Sequence, residues 1–187
     1  RSSAASDVYK RQPNRCELQL REFAKDSLLD VCGGYIKEFC DSKEKVVSIR
    51  KVPLVDSEIK EYQKRRDAVN HVTVMFKKSK VLEAGNYQHA LLMEDSLLWT
   101  NMILHGATFK NIDDYLVYVR TGADMFKRRG GLKYFKKYKN GRKIILQTGY
   151  ISKWDYYYTL LVQLIFSILP NSVREFVYEK LLRSNKE

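Results

Sequence analysis

Cysteine is scarce in this chain, and nothing in its placement builds a covalent or metal-bound scaffold. Cys16, Cys32 and Cys40 are odd in number, with no Cys-x-x-Cys and no paired histidines at zinc spacing. That argues against a disulfide framework or a zinc site and fits reduced cytosolic thiols. A secretory signal is also lacking, because the opening RSSAASDVYKRQ is small, polar and basic without an apolar core. No apolar run is long enough to span a bilayer. Residues 156–173 carry no charge, but Gln163, Ser167, Pro170 and Asn171 interrupt them. The helical part before Pro170 reaches about 21 Å, against a hydrocarbon core of about 30 Å. Acids are absent from residues 127–143, KRRGGLKYFKKYKNGRK, which hold nine Lys and Arg.

What is present is a chain of 187 residues, enough for one domain with a real core, carrying a net charge of +12. The excess sits largely in that one basic segment and implies an anionic partner: nucleic acid, a phosphate-bearing substrate or an anionic membrane surface. Residues 1–12 show no periodicity and are read as a non-native leader, outside the fold. PNRCELQLREFAKD reads as a helix with Pro13 in its first turn and Leu18, Leu20 and Phe23 on a broad face. LDVCGGYIKEF reads as a strand whose glycine pair marks a bulge or a close backbone approach. KVVSIRKVPL gives a second strand ended by Pro53, and DSEIKEYQKRRD a charged surface helix. HVTVMFKKS alternates, with Val72, Val74 and Phe76 on one face, and predicts a third strand opened by His71. KVLEAG predicts a short helix stopped by Gly85, and DSLLWTNMILHG a longer one ended by Gly106. A turn at Asn111–Asp114 then precedes a strand, YLVYVR. Interleaved strands and helices make the class α/β. WDYYYTLLVQLIFSILP and NSVREFVYEKLLR predict two further helices, either a core pair or in-plane membrane helices flanked by aromatics and bases.

One stretch stands out. ALLMEDSLLWTNMILHG sets Glu94 and Asp95 side by side inside an apolar run. Burying charge costs several kcal/mol or so unless the charge is paired or has a task. Two readings stand. Asp is a favoured helix N-cap, and acids suit a helix N-terminus. Alternatively, a carboxylate at the mouth of an α/β sheet is placed to take a proton from a substrate hydroxyl.

The stretch from Asn70 to Gly131 resembles the second half of the catalytic domain of family 2 glycosyltransferases, of the bacterial exopolysaccharide and O-antigen type that includes the amylovoran-biosynthesis enzymes. The pieces that carry the likeness are Asn70–His71, VTVMFKKS, AGNY at Ala84–Tyr87, MEDSLLW at Met93–Trp99 and RRGG at Arg128–Gly131. PNRCELQLREF and LDVCGGYIKEF extend it, so that it covers residues 13–187. The resemblance implies a partial GT-A (nucleotide-diphospho-sugar transferase) fold, residues 13–126 forming the second half of the catalytic domain and 127–187 a basic segment with C-terminal helices.

It also implies an inverting transfer from a nucleotide-sugar, a uridine diphosphate sugar, to a lipid-linked or polysaccharide acceptor, with Asp95 as the catalytic base. Glu94 either contacts the acceptor or caps the helix. Trp99 is either a sugar platform or core, His71 a substrate contact or a structural histidine, and Arg128 and Arg129 either diphosphate contacts or a solvated loop. The family's Asp-x-Asp metal motif, which would hold Mn or Mg, is absent upstream of Pro13, where the residues are DVYKRQ. The chain is therefore expected to be a fragment, inactive by itself, of an enzyme peripheral on the cytoplasmic face of the cell membrane, without a nucleic-acid partner. Two alternatives stay open: a nucleic-acid-binding module using residues 127–143 with Tyr134, Phe135 and Tyr138 for stacking, and an inactive partial reading frame.

Overall fold

The computed structural model describes residues 9–40, 42–121, 130–170 and 173. Its frame is a five-stranded mixed sheet in the order β1-β5-β2-β3, with β4 also on β2. The strands are β1 Tyr9–Arg11, β2 Leu29–Phe39, β3 Val46–Arg50, β4 Met75–Phe76 and β5 Thr108–Arg120. β2 and β5 run parallel at the centre, while the other three pairings are antiparallel. A parallel pair needs a crossover, and residues 40–107 supply it, carrying α2 Asp56–Gln63, α3 Lys78–Glu83 and α4 Glu94–Leu104. α1 Arg15–Lys25 precedes β2, and α5 Gly131–Gln147 and α6 Lys153–Ile168 form a hairpin after the sheet. The α/β class read from the sequence is the one observed.

β2 is buried almost throughout because it is central and covered on both faces. Its glycine pair permits the close approach that the sequence suggested. A Cβ on Gly33 would stand 2.4 Å from Asn111 Oδ1, and one on Gly34 would stand 2.6 Å from Leu116 Cδ1.

The first core lies between the sheet and the crossover, with Val31, Ile59, Trp99, Met102 and Phe109 at its centre. A second core joins α4 to the C-terminal hairpin through Ala90, Leu97, Ile145, Ile151, Tyr156 and Leu160. α4 is therefore wrapped on two sides, which explains why its apolar residues do not keep to one stripe. Ser152 starts α6 with a capping box: its hydroxyl accepts from Asp155 N at 3.0 Å, and the Asp155 carboxylate accepts from Ser152 N at 3.2 Å.

Four readings of the sequence are corrected. The alternation in HVTVMFKKS is not a strand. His71–Thr73 form a 3-10 turn and only Met75–Phe76 pair, because hydrogen bonds from distant residues hold the turn. Residues 111–114 are not a turn between elements but lie inside β5. Gly34 is opposite Ile112 and Tyr35 opposite Tyr115, so Asp113 and Asp114 bulge out of register. The buried face of α1 is polar, with Arg15 and Gln19 inward, and Leu20 is exposed. Tyr9–Arg11, set aside with the leader, pair with Val117–Val119 of β5. Apart from Val173, the helix predicted over 171–183 lies outside the described residues, as does the basic dipeptide Arg128–Arg129.

Candidate active site

A turn and a helix start converge on one point. The turn is pinned from three sides. Asn70 Nδ2 donates to Gly34 O at 2.8 Å, Gly34 N donates to the Thr73 hydroxyl at 3.1 Å, and that hydroxyl donates to Asn70 O at 2.7 Å. From α1, Gln19 Nε2 donates to Thr73 O at 2.8 Å and Cys32 O at 2.7 Å, and Arg15 Nη1 to Val72 O at 3.0 Å. These groups are largely buried, so each bond is costly to break. They fix the backbone of His71 and leave its ring exposed at the edge of the sheet.

The second partner is aimed by strain. Leu91 and Leu92 adopt φ of +45° and +78°, the left-handed region that costs an L-residue about 1–2 kcal/mol. Met93, not Asp95, occupies the N-cap and offers no side-chain bond, so Glu94 and Asp95 are the first two helical residues. The helix-cap reading of the pair is thereby corrected to a first-turn position, where the helix dipole still favours negative charge. The strained bend is braced by α5. At Gly141 an added Cβ would lie 2.6 Å from both Ala90 O and Met93 Cγ, so only glycine admits this approach.

His71 Nδ1 and Asp95 Oδ1 meet at 3.1 Å, each side chain about half exposed. Burial pushes the Asp95 carboxyl above its usual value; His71 opposes the rise, nearby Asp67 and Glu94 add to it, and a hydrogen bond with the Tyr87 hydroxyl opposes it. Tyr87 is itself raised, by burial first and then by Asp95. Tyr87 reaches Asp95 from the turn that ends α3, where Gly85 and Asn86 take φ of +84° and +60°. Asp95 and His71 both line a cleft of about 1150 Å³. Glu94 does not line it; its nearest basic partner is His89 Nδ1 at 4.0 Å.

Trp99 is 1% exposed and packs in the first core, its ring 6.4 Å from His71 and 6.2 Å from Phe76. It supports the floor beneath His71 and offers no face to a sugar, so of its two readings the core one applies. Phe135 and Tyr138 pack inward against the second core, while Lys133, Lys136, Lys137 and Lys139 are exposed. The rings that a nucleic-acid reading would use for stacking are thus largely taken up by packing. Among the described residues, no three His, Cys, Asp or Glu side chains group to hold a metal ion. The described residues do not by themselves fit a divalent-metal site.

Sequence reasoning did not single out Tyr87, Asp67, Asn70 or Thr73. Tyr87 and Asn70 lie within the quoted AGNY and Asn-His pieces, the only signal available for them.

No family model matches the chain. It is similar in sequence to bacterial glycosyltransferases. It is 33% identical over 172 residues to the amylovoran biosynthesis glycosyltransferase AmsE of Erwinia amylovora, covering 90% of this chain and 62% of the relative. It is 31% identical over 170 residues to the UDP-Gal:alpha-D-GlcNAc-diphosphoundecaprenol beta-1,3-galactosyltransferase of Escherichia coli, covering 91% and 62%. A further glycosyltransferase, uncharacterized, from Haemophilus influenzae is 30% identical over 171 residues, covering 91% and 63%. The chain thus spans a little over three-fifths of the length of these curated relatives.

Proposed function

We propose that this chain is the acceptor-side part of an inverting glycosyltransferase, of family 2 and GT-A type, that works in cell-surface polysaccharide assembly. Its donor is a uridine diphosphate sugar and its acceptor a lipid-linked or growing glycan, as the name of the Escherichia coli relative suggests. The observation that carries this reading is the Asp95–His71 contact in the cleft wall.

An acceptor hydroxyl is a poor nucleophile until its proton is taken. The hydroxyl oxygen forms a bond to the anomeric carbon as the bond from that carbon to the diphosphate oxygen breaks, and Asp95 receives the hydroxyl proton. A carboxyl raised by burial is a stronger base than a solvated one. His71 Nδ1, 3.1 Å from Asp95 Oδ1, steadies one carboxylate oxygen and so fixes the direction of the other. In the full-length enzyme, Mn or Mg would neutralise charge on the leaving diphosphate. Arg128 and Arg129 are proposed as contacts to a diphosphate.

We place the enzyme on the inner face of the cell membrane. Support comes from α6, where Trp154, Tyr157, Leu161, Ile165 and Ile168 form an exposed apolar row beside the lysine-rich α5. No helix among the described residues is long and apolar enough to cross a membrane. The test is transfer of labelled sugar by the full-length enzyme from a UDP-sugar to a prenyl-diphosphate-linked sugar. Product carrying the inverted anomer is expected; a retained anomer, or no product with any nucleotide-sugar, overturns the reading. Binding to anionic vesicles should fall with rising salt, and salt-independent binding would remove the membrane placement.

A further inference from the structure

The cleft beside Asp95 has a second wall, contributed by the C-terminal hairpin: Tyr138 and Arg142 of α5, with Tyr158 and Gln163 of α6. None of these residues has a part in the proton transfer. Among the described residues, the cleft is lined by four arginines (Arg50, Arg65, Arg66 and Arg142) and five carboxylates (Glu38, Glu58, Glu61, Asp67 and Asp95). A diphosphate placed there would meet more negative than positive groups, whereas a sugar hydroxyl both donates and accepts and can use either kind.

Two features give this wall the build of a site. Tyr158 is held rigid: the Arg65 guanidinium lies 5.2 Å from its ring centroid, and Arg65 Nε is fixed in turn by Asp155 Oδ1 at 2.6 Å. Burial raises the Asp155 carboxyl, but hydrogen bonds from Ser152 and Arg65 outweigh it and hold the group below its usual value. Tyr158 is nonetheless 44% exposed and lines the cleft, so its ring is available at little entropic cost. Deeper in, Arg142 is 2% exposed; its Nη2 donates to Lys64 O at 2.8 Å, while its Nε has no partner among the described residues. A buried N–H without a partner in a cleft wall calls for an acceptor oxygen. The cleft volume of about 1150 Å³ slightly exceeds the roughly 300–1,000 Å³ of ordinary small-ligand sites, which suits a ligand of more than one ring.

We infer that this hairpin wall is a binding site for an uncharged glycan, with Tyr158 as the platform for a sugar ring and Arg65 and Arg142 as its polar contacts. The inference rests on the transferase reading for its role, since the sugar so held would present its hydroxyl to Asp95. Its own test needs no turnover. The 187-residue chain, labelled on its tyrosine rings, is titrated with methyl glycosides of glucose, galactose and N-acetylglucosamine, and separately with inorganic pyrophosphate.

At least one glycoside should shift the Tyr158 ring signals. Tyr158→Ala should weaken that binding about tenfold or more, the scale of a lost stacking contact with its polar neighbours disturbed, while Tyr158→Phe should keep it. Pyrophosphate should leave the Tyr158 signals unmoved. No response to any glycoside, binding indifferent to Tyr158→Ala, or a Tyr158 response to pyrophosphate instead would each overturn the inference. If glycosides fail to bind while the full-length enzyme transfers sugar, this inference fails and the transferase reading stands. If they bind and no transfer occurs, the reverse holds.

Discussion

His71 Nδ1 stands 3.1 Å from Asp95 Oδ1 across the mouth of the cleft, although the two residues come from different elements 24 positions apart. Neither is held by its own neighbours alone. A network through Asn70, Thr73 and the Gly34 backbone carries the first, and a strained bend at Leu91–Leu92 braced by Gly141 carries the second.

The brace is testable by a reversal of sign. Gly→Ala inside a helix ordinarily stabilises by about 1 kcal/mol. At Gly141 the new methyl would lie 2.6 Å from Ala90 O and Met93 Cγ, and overpacking costs about 1–3 kcal/mol. Gly141→Ala should therefore lower stability in urea titration and reduce turnover by displacing the acid pair. A stabilised variant would show that α5 does not press on the bend.

Thr73→Val keeps the shape and removes the hydroxyl that serves both Gly34 N and Asn70 O. Leaving buried partners unsatisfied costs about 1–3 kcal/mol, read as a lower midpoint of denaturant unfolding. Because the same bonds hold the His71 turn, transfer should fall as well, by more than the loss of folded protein accounts for.

Burial holds the Asp95 carboxyl above the usual value of 3.8, with His71 opposing. A raised folded value means that the folded state binds the proton more tightly, so stability is lost as pH rises through that value and the ionised carboxylate is net unfavourable at neutral pH. Asp95→Asn should accordingly raise the melting temperature at pH 7. The gain should be below about 2–4 °C, the shift that 1 kcal/mol gives in a chain of this size, because a half-exposed charge is screened. It should vanish in acid. A loss of stability at pH 7 would mean that pairing with His71 outweighs burial.

Tyr87→Phe removes the hydrogen bond that pulls the Asp95 carboxyl down, so Asp95 should titrate at higher pH. Carboxyl carbon shifts followed by NMR would show it, and the acid limb of the pH–rate profile should move in the same direction. An unmoved titration would place Tyr87 outside the network.

Trp99→Leu separates core from contact. Trp99 is 1% exposed, and large-to-small changes at such sites cost a few kcal/mol, with about 3–5 for Trp→Ala. A lower unfolding midpoint with unchanged acceptor KM is expected for the folded fraction; a raised KM without loss of stability would restore the sugar platform.

Much of the frame was legible in the sequence. LDVCGGYIKEF announces a buried strand by its apolar run, and its glycine pair announces a close approach because no other residue admits one. The acid pair stood out because charge inside an apolar run calls for a reason. HVTVMF misled because alternation describes a strand and a pinned turn equally well until the distant bonds from Gln19 and Asn70 are known. Asn111–Asp114 misled because turn-forming residues also suit a bulge. The Tyr87 contact and the far wall of the cleft were invisible because both depend on tertiary reach: Tyr158 lies 63 positions beyond Asp95, and no local pattern encodes that neighbourhood.

Asp95 is the group proposed to accept the acceptor's proton, and that role is the one to test first. The decisive measurement is single-turnover transfer by the full-length enzyme carrying Asp95→Asn, with donor affinity measured on the same preparation. The chemical step should slow by about 10²–10⁴, the usual worth of a general base, with donor affinity and fold intact. Transfer at the unmodified rate would contradict the account and return Glu94 and Asp95 to the plain role of first-turn helix acids.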